Sequence, residues 1–188
     1  MSPPSTQHEF FLPLIRDDPK SAAIAKTLDQ TAAFVGAVLT LTATAELAIG
    51  NIIADCFAHN EDERDLMFSL LIDPNLKLVS KGQILMHILK TKFNDLAKAY
   101  PDLEESLEKM RELRNRCAHS FPNATDEFIE KHGTDAIGFI WQAKGIRHTQ
   151  ELTYDEAQGR VRAIAKTVLD LETIREKIGE KMGHFPPV

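Results

Sequence analysis

Residues 24–56 read IAKTLDQTAAFVGAVLTLTATAELAIGNIIADC, and within them Ile24, Leu28, Thr31, Val35, Val38, Thr42, Ala45, Ile49, Ile52 and Cys56 follow one another in steps of four and three. Steps of that kind draw one stripe along an α-helix of 3.6 residues per turn. The stretch predicts a single long helix whose seam packs against partner helices, with a kink at Gly36 or near Gly50-Asn51. Asp18-Pro19 supplies an N-cap and a first-turn proline. Glu46 lies beside the seam, in a row with Leu39 and Ile53, so its carboxylate is expected to be partly buried and to need a partner.

Beyond this helix, the polar run His59 to Arg64 is a terminator, Asp65 to Ile72 a short apolar helix, and Asp73-Pro74-Asn75 its stop. Ser80 to Gln83 has capping-box spacing and opens a third helix through Ile84, Leu85, Ile88 and Leu89 to Tyr100, with a break near Asn94. Pro101-Asp102 opens a fourth helix, with Leu103, Leu107, Met110, Arg114 and Cys117 on its seam. A polar connection runs from Phe121-Pro122-Asn123 to Gly133. Ala136 to Ala143 and Ile146 to Leu152, parted by Lys144-Gly145, read as a two-stranded hairpin. Thr153 to Glu156 is a second capping box, opening a last helix through Val161, Ile164, Val168, Leu171, Ile174 and Ile178. The expected fold is all-α, an antiparallel helical bundle with a small β-hairpin appended before the last helix. Residues 1–188 form one domain in this reading, with 1–17 loosely ordered.

The 188 residues are 27% charged and 43% hydrophobic, with a net charge of -6, which argues against a surface that coats nucleic acid indiscriminately. Any RNA contact must then be local. The apolar stretches read as broken by polar groups short of the roughly 20 residues of a membrane span. No basic region followed by an apolar core marks a secretory signal, so the expected location is cytoplasmic, with no membrane partner. Cys56 and Cys117 form no C-x-x-C pair and read as small core residues. His87 reads as a partly exposed helical residue, and His132 and His148 as solvated residues flanking the hairpin. Phosphate-binding glycine loops, G-x-S-x-G elbows and H-E-x-x-H helices are absent from the sequence, which excludes P-loop nucleotide hydrolysis. No metal and no cofactor is implied.

The sharpest chemistry lies in Arg114-Asn115-Arg116-Cys117-Ala118-His119. An arginine on an apolar seam is costly unless it is paired or reaches water through a cleft. Arg114 therefore either salt-bridges Glu46, fixing how two helices pack, or lines a groove and grips a phosphate with its planar fork. The two are compatible. Asn115 and His119 share a face if the helix continues, whereas Arg114 and His119 diverge by about 140°, so the helix should end or bend at His119. Acidic residues fill the early turns and Lys109, Arg111, Arg114, Arg116 and His119 the late ones, a gradient that complements the helix dipole without any function. A helix C-terminus favours protonated imidazole and a neighbouring arginine opposes it, which suits a proton carrier near neutral pH.

With Arg114, Asn115 and His119 in an R-x4-H arrangement, inside Leu113-Arg-Asn-Arg-Cys-Ala-His-Ser120, the chain resembles the HEPN superfamily over about Lys20 to Ser120 and the last helix. The resemblance implies a homodimer that joins two motif helices in a shared cleft. It also implies a metal-independent endoribonuclease of toxin or defence type, whose partners are an RNA substrate and a cognate antitoxin or regulatory protein. His119 would be general acid or base for attack of a ribose 2′-hydroxyl on the adjacent phosphate, Arg114 would stabilise the developing charge, and Asn115 would position substrate or histidine. Glu46, Arg111, Arg116 and Ser120 complete the expected site as substrate-binding or orienting residues. The competing reading is a noncatalytic helical binding or regulatory module, and the helix arrangement is also loosely similar to the mannitol-operon repressor family. Phe121 is the one aromatic near His119 in the sequence able to stack a base.

Overall fold

The computed structural model describes residues 19–72, 76–143 and 145–183. Asp18, the segment 1–17, Asp73-Pro74-Asn75, Lys144 and the segment 184–188 lie outside the described residues. Among the described residues the chain is mostly helical, with a small antiparallel sheet. The elements are α1 (Pro19–Phe57), α2 (Glu61–Leu71), α3 (Leu78–Lys92), α4 (Asn94–Ala99), α5 (Leu103–Ala118), β1 (Ser120–Pro122), α6 (Asp126–His132), β2 (Ala136–Ala143), β3 (Ile146–Thr153) and α7 (Tyr154–Met182).

The long first helix is present and continues through Gly36 and Gly50. Its buried stripe runs Thr27, Thr31, Phe34, Val38, Thr42, Ala45, Ile49, Ile52 and Cys56, while Leu28 is exposed. A strict alternation of four and three drifts off a straight 3.6-residue helix, and this stripe corrects the drift with two successive steps of four. One expectation fails here. α1 is long and apolar enough to cross a membrane by length and composition, with a mean hydropathy of 1.8 over 18 residues, so its apolar stretch does not fall short of a span. A core helix meets the same measure, and Val38, Ala45, Ile49 and Ile52 are fully buried.

Two compact units divide the chain. Of the described residues, one comprises those up to Gly36 together with those between His119 and Gln158, and the other those between Ala37 and Ala118 together with those from Gly159 to Gly183.

In the first unit the sheet has the order β1-β2-β3. The expected hairpin is there, turning at Gly145 with φ +78°, and it gains a third strand where Ser120, Phe121 and Pro122 pair with Trp141, Ile140 and Phe139. The connection read as polar coil holds α6. Thr125 caps it by accepting from the Phe128 amide, Gly133 ends it at φ +59°, and Phe128 and Ile129 pack with Ala136. Phe34 meets Phe139 with ring centroids 5.5 Å apart. Gly138 is required by close approach, since a Cβ there would meet Asn123 and Phe128 carbons at 2.8 Å. The capping box at Thr153 forms as read. Thr153 Oγ1 accepts from the Glu156 amide at 3.2 Å and Glu156 accepts from the Thr153 amide at 2.8 Å.

The second unit is built on Ile49, Ile52, Leu85, Leu89, Met110, Leu171, Ile174 and Ile178, all fully buried. α2 starts earlier than read, because Asn60 caps it by accepting from the Glu63 amide. α3 also starts earlier, at Leu78, and its N-cap Lys77 makes no side-chain cap, so the Ser80 capping box is not used. The break near Asn94 separates α3 from α4 as expected.

Candidate functional site

α5 begins with Glu104 and Glu105 and ends with Arg114, Asn115 and Arg116 near its carboxyl terminus. Its buried stripe is Leu103, Leu107, Met110, Leu113 and Cys117, so the seam passes through Leu113 and leaves Arg114 exposed. Water access removes the desolvation cost that a seam position would impose. The Arg114 Nη1 donates to Asn115 Oδ1 at 3.3 Å. Both side chains line a cleft of about 720 Å³ together with Glu46, Lys81 and Arg111, and with apolar walls that include Leu47, Ile72 and Val79.

The partner of Glu46 is Lys81. Its Nζ lies 2.5 Å from Glu46 Oε1, and the lysine side chain is only 2% exposed against 35% for the glutamate. This corrects the expected Arg114–Glu46 ion pair. A lysine can bury its four-carbon stem along apolar surface and present the ammonium at the end. Leu78, Lys81, Leu85 and Ile88 advance by three, four and three, so Lys81 occupies a seam position of the kind that drew attention to Arg114. Starting the helix at Ser80 hid that signal.

The remaining candidates divide. Arg111 lines the same cleft and grips Glu108 with Nε, at 2.8 Å, and with Nη2. The hydrogen bond from Arg111 holds the Glu108 carboxyl below the usual range and raises the Arg111 guanidinium. Arg116 sits 3.3 Å from Glu112 and lines a different hollow, of about 370 Å³, with Arg160 and Thr167. It does not join Arg114. His119 is an exposed turn residue immediately after Ala118, the last residue of α5, and it belongs to the other unit. Because the helix stops before it, the four-residue spacing from Asn115 does not place His119 on that helical face. Ser120 is half-buried and opens β1 opposite Trp141.

Cys56 and Cys117 are buried as expected, and burial pushes each thiol up to about 11. His87 is exposed on α3. The other two histidines are not simply solvated. His132 is half-buried, with Nε2 2.9 Å from Glu151 and its ring 4.9 Å from that of Phe128. His148 stacks on Trp141, with centroids 5.4 Å apart and planes at 17°. Hydrogen bonds from Lys131 and then His132 hold Glu151 below the usual carboxylate range.

Compared with known proteins, the chain matches no family model, no curated protein and no solved structure.

Proposed function

We propose that this chain is a HEPN-like, metal-independent endoribonuclease of toxin or defence type, an antiparallel helical bundle that works as a cytoplasmic homodimer and answers to a cognate antitoxin or regulatory protein. The observation that carries the reading is the cleft on α5, where the exposed Arg114 and the half-buried Asn115 stand beside the ion pair of Glu46 with the buried Lys81, on the helix that runs directly into His119. Its volume of about 720 Å³ lies within the span of small-ligand pockets. In the proposed reaction His119 takes the proton from a ribose 2′-hydroxyl, or returns one to the leaving 5′-oxygen, as that hydroxyl attacks the adjacent phosphorus. Arg114 binds the nonbridging oxygens as charge builds on them, and Asn115 orients the arginine through the hydrogen bond they share. Lys81 sets the Glu46 carboxylate at the cleft wall and limits how much negative charge the phosphate meets there.

A second reading, the noncatalytic binding or regulatory module, is favoured by the apolar side of the cleft. Leu47, Ile72 and Val79 are exposed on its walls and suit a protein partner. Incubating total RNA with the protein in excess chelator, beside His119→Ala and Arg114→Ala, separates the two. Cleavage by the parent that both variants lose supports the nuclease; equal RNA integrity in all three, with the proteins folded, supports the module.

A further inference from the structure

His119 is followed by a strand, and the pairing of that strand sets Phe121, the aromatic near His119 in the sequence, in a row across the sheet. Phe121 of β1 pairs with Ile140 of β2, which pairs with Thr149 of β3, so the three side chains form one row on one face of the sheet. Phe121 is 74% exposed, Ile140 half-buried and Thr149 exposed. Two residues further along the strands the same face carries the exposed Gln142 and Arg147, which are cross-strand partners. Trp141 and His148 stack with each other from the opposite face.

On the strands, the open end of this face carries Arg147 and no carboxylate, while α6, which packs over the Gly138 end, brings the exposed Asp126, Glu127 and Glu130 there. Glu151, the one carboxylate among the strand residues of the Phe121 face, is held by Lys131 at 2.7 Å and His132 at 2.9 Å. An exposed ring flanked by a β-branched side chain, with a guanidinium one row away, combines a stacking surface with a phosphate contact, the combination that single strands need and that a duplex with its stacked bases does not. We propose that this face binds single-stranded RNA, with a base on the Phe121 ring and a phosphate on Arg147. The proposal deepens the ribonuclease reading and rests on it for the choice of RNA.

The test is fluorescence anisotropy of a labelled 2′-O-methyl oligouridine, which cannot undergo 2′-hydroxyl attack, titrated with the full-length parent, Phe121→Ala, Phe121→Trp and Arg147→Ala. Phe121 is exposed, so its replacement should leave the circular dichroism spectrum unchanged. The expected results are about tenfold weaker binding for Phe121→Ala, retention by Phe121→Trp, and for Arg147→Ala weaker binding with a salt slope smaller by about one. Equal affinity of Phe121→Ala and parent overturns the platform, as does a parent that binds no oligonucleotide. A variant that binds normally but loses self-association makes the row a contact between copies and overturns it too. Cleavage of total RNA, scored on the same proteins, judges the ribonuclease separately. Cleavage that persists in Phe121→Ala, alongside unchanged binding, leaves the enzyme and removes the platform. Binding that depends on Phe121 without any cleavage removes the enzyme and keeps the platform.

Discussion

Glu46 and Asp55 are both carboxylates of α1 with basic partners on other helices, yet they sit in different company. Asp55 is buried and accepts from Arg64 Nε of α2 at 2.6 Å and from Arg175 Nε of α7 at 3.0 Å, while Arg64 also donates to Asn51 at 2.9 Å. Neither Asp55 nor its arginines line the α5 cleft. That cluster ties three helices together. Among the described residues Glu46 pairs with the buried Lys81, and both line the cleft that Arg114 and Asn115 share. The contrast teaches that a paired, buried charge marks helix packing as readily as chemistry, and that an open wall beside the pair is what distinguishes the second case.

The largest effect should come from Asp55→Ala, which removes the buried carboxylate that Arg64 and Arg175 share. A loss of about 3 kcal/mol is expected in urea denaturation, with cleavage intact where the protein is still folded. Thiol labelling sharpens this. Cys56 adjoins Asp55, and burial raises its thiol to about 11, so native protein should label slowly at pH 8 and Asp55→Ala faster. A loss under about 1 kcal/mol would contradict the packing role.

Lys81→Met comes next, keeping the volume while removing the ammonium. Glu46 is partly exposed and can rehydrate, so the stability loss should be smaller, about 1–2 kcal/mol, whereas RNA cleavage should drop about tenfold or more. Unchanged turnover would put this pair in the same class as the Asp55 cluster.

The smallest effect belongs to Arg111–Glu108, an exposed pair on one helix. Because the folded Glu108 carboxyl titrates below its ordinary value of 4.5, its contribution is present above that value and fades as pH falls through the folded one. Acid titration of the melting temperature should show a slight decline below pH 4.5 that Arg111→Ala removes. An identical decline in that variant would assign it to other carboxylates.

Much of the fold was legible because it follows local periods. The α1 stripe, the hairpin around Gly145 and the Thr153–Glu156 box all write their geometry into spacing. β1 did not, since three residues carry no period and become a strand only by pairing with Trp141, Ile140 and Phe139. α6 was missed because seven helical residues hold two core contacts, Phe128 and Ile129, inside a polar run. At the site, the sequence supplied Arg114, Asn115 and Glu46 but joined them wrongly, since the choice between Arg114 and Lys81 depends on where α3 begins. The separation of Arg116 from Arg114 reflects helical angle. Neighbours in sequence stand about 100° apart around a helix, so Arg116, two residues on, opens on another side of α5.

The central claim is tested most directly by the ends of the cleaved RNA. A defined single-stranded RNA, incubated in chelator and analysed by mass spectrometry, should yield 2′,3′-cyclic phosphate and 5′-hydroxyl fragments with the parent and none with His119→Ala. Fragments bearing 5′-phosphate and 3′-hydroxyl ends, or cleavage that survives His119→Ala, would contradict it.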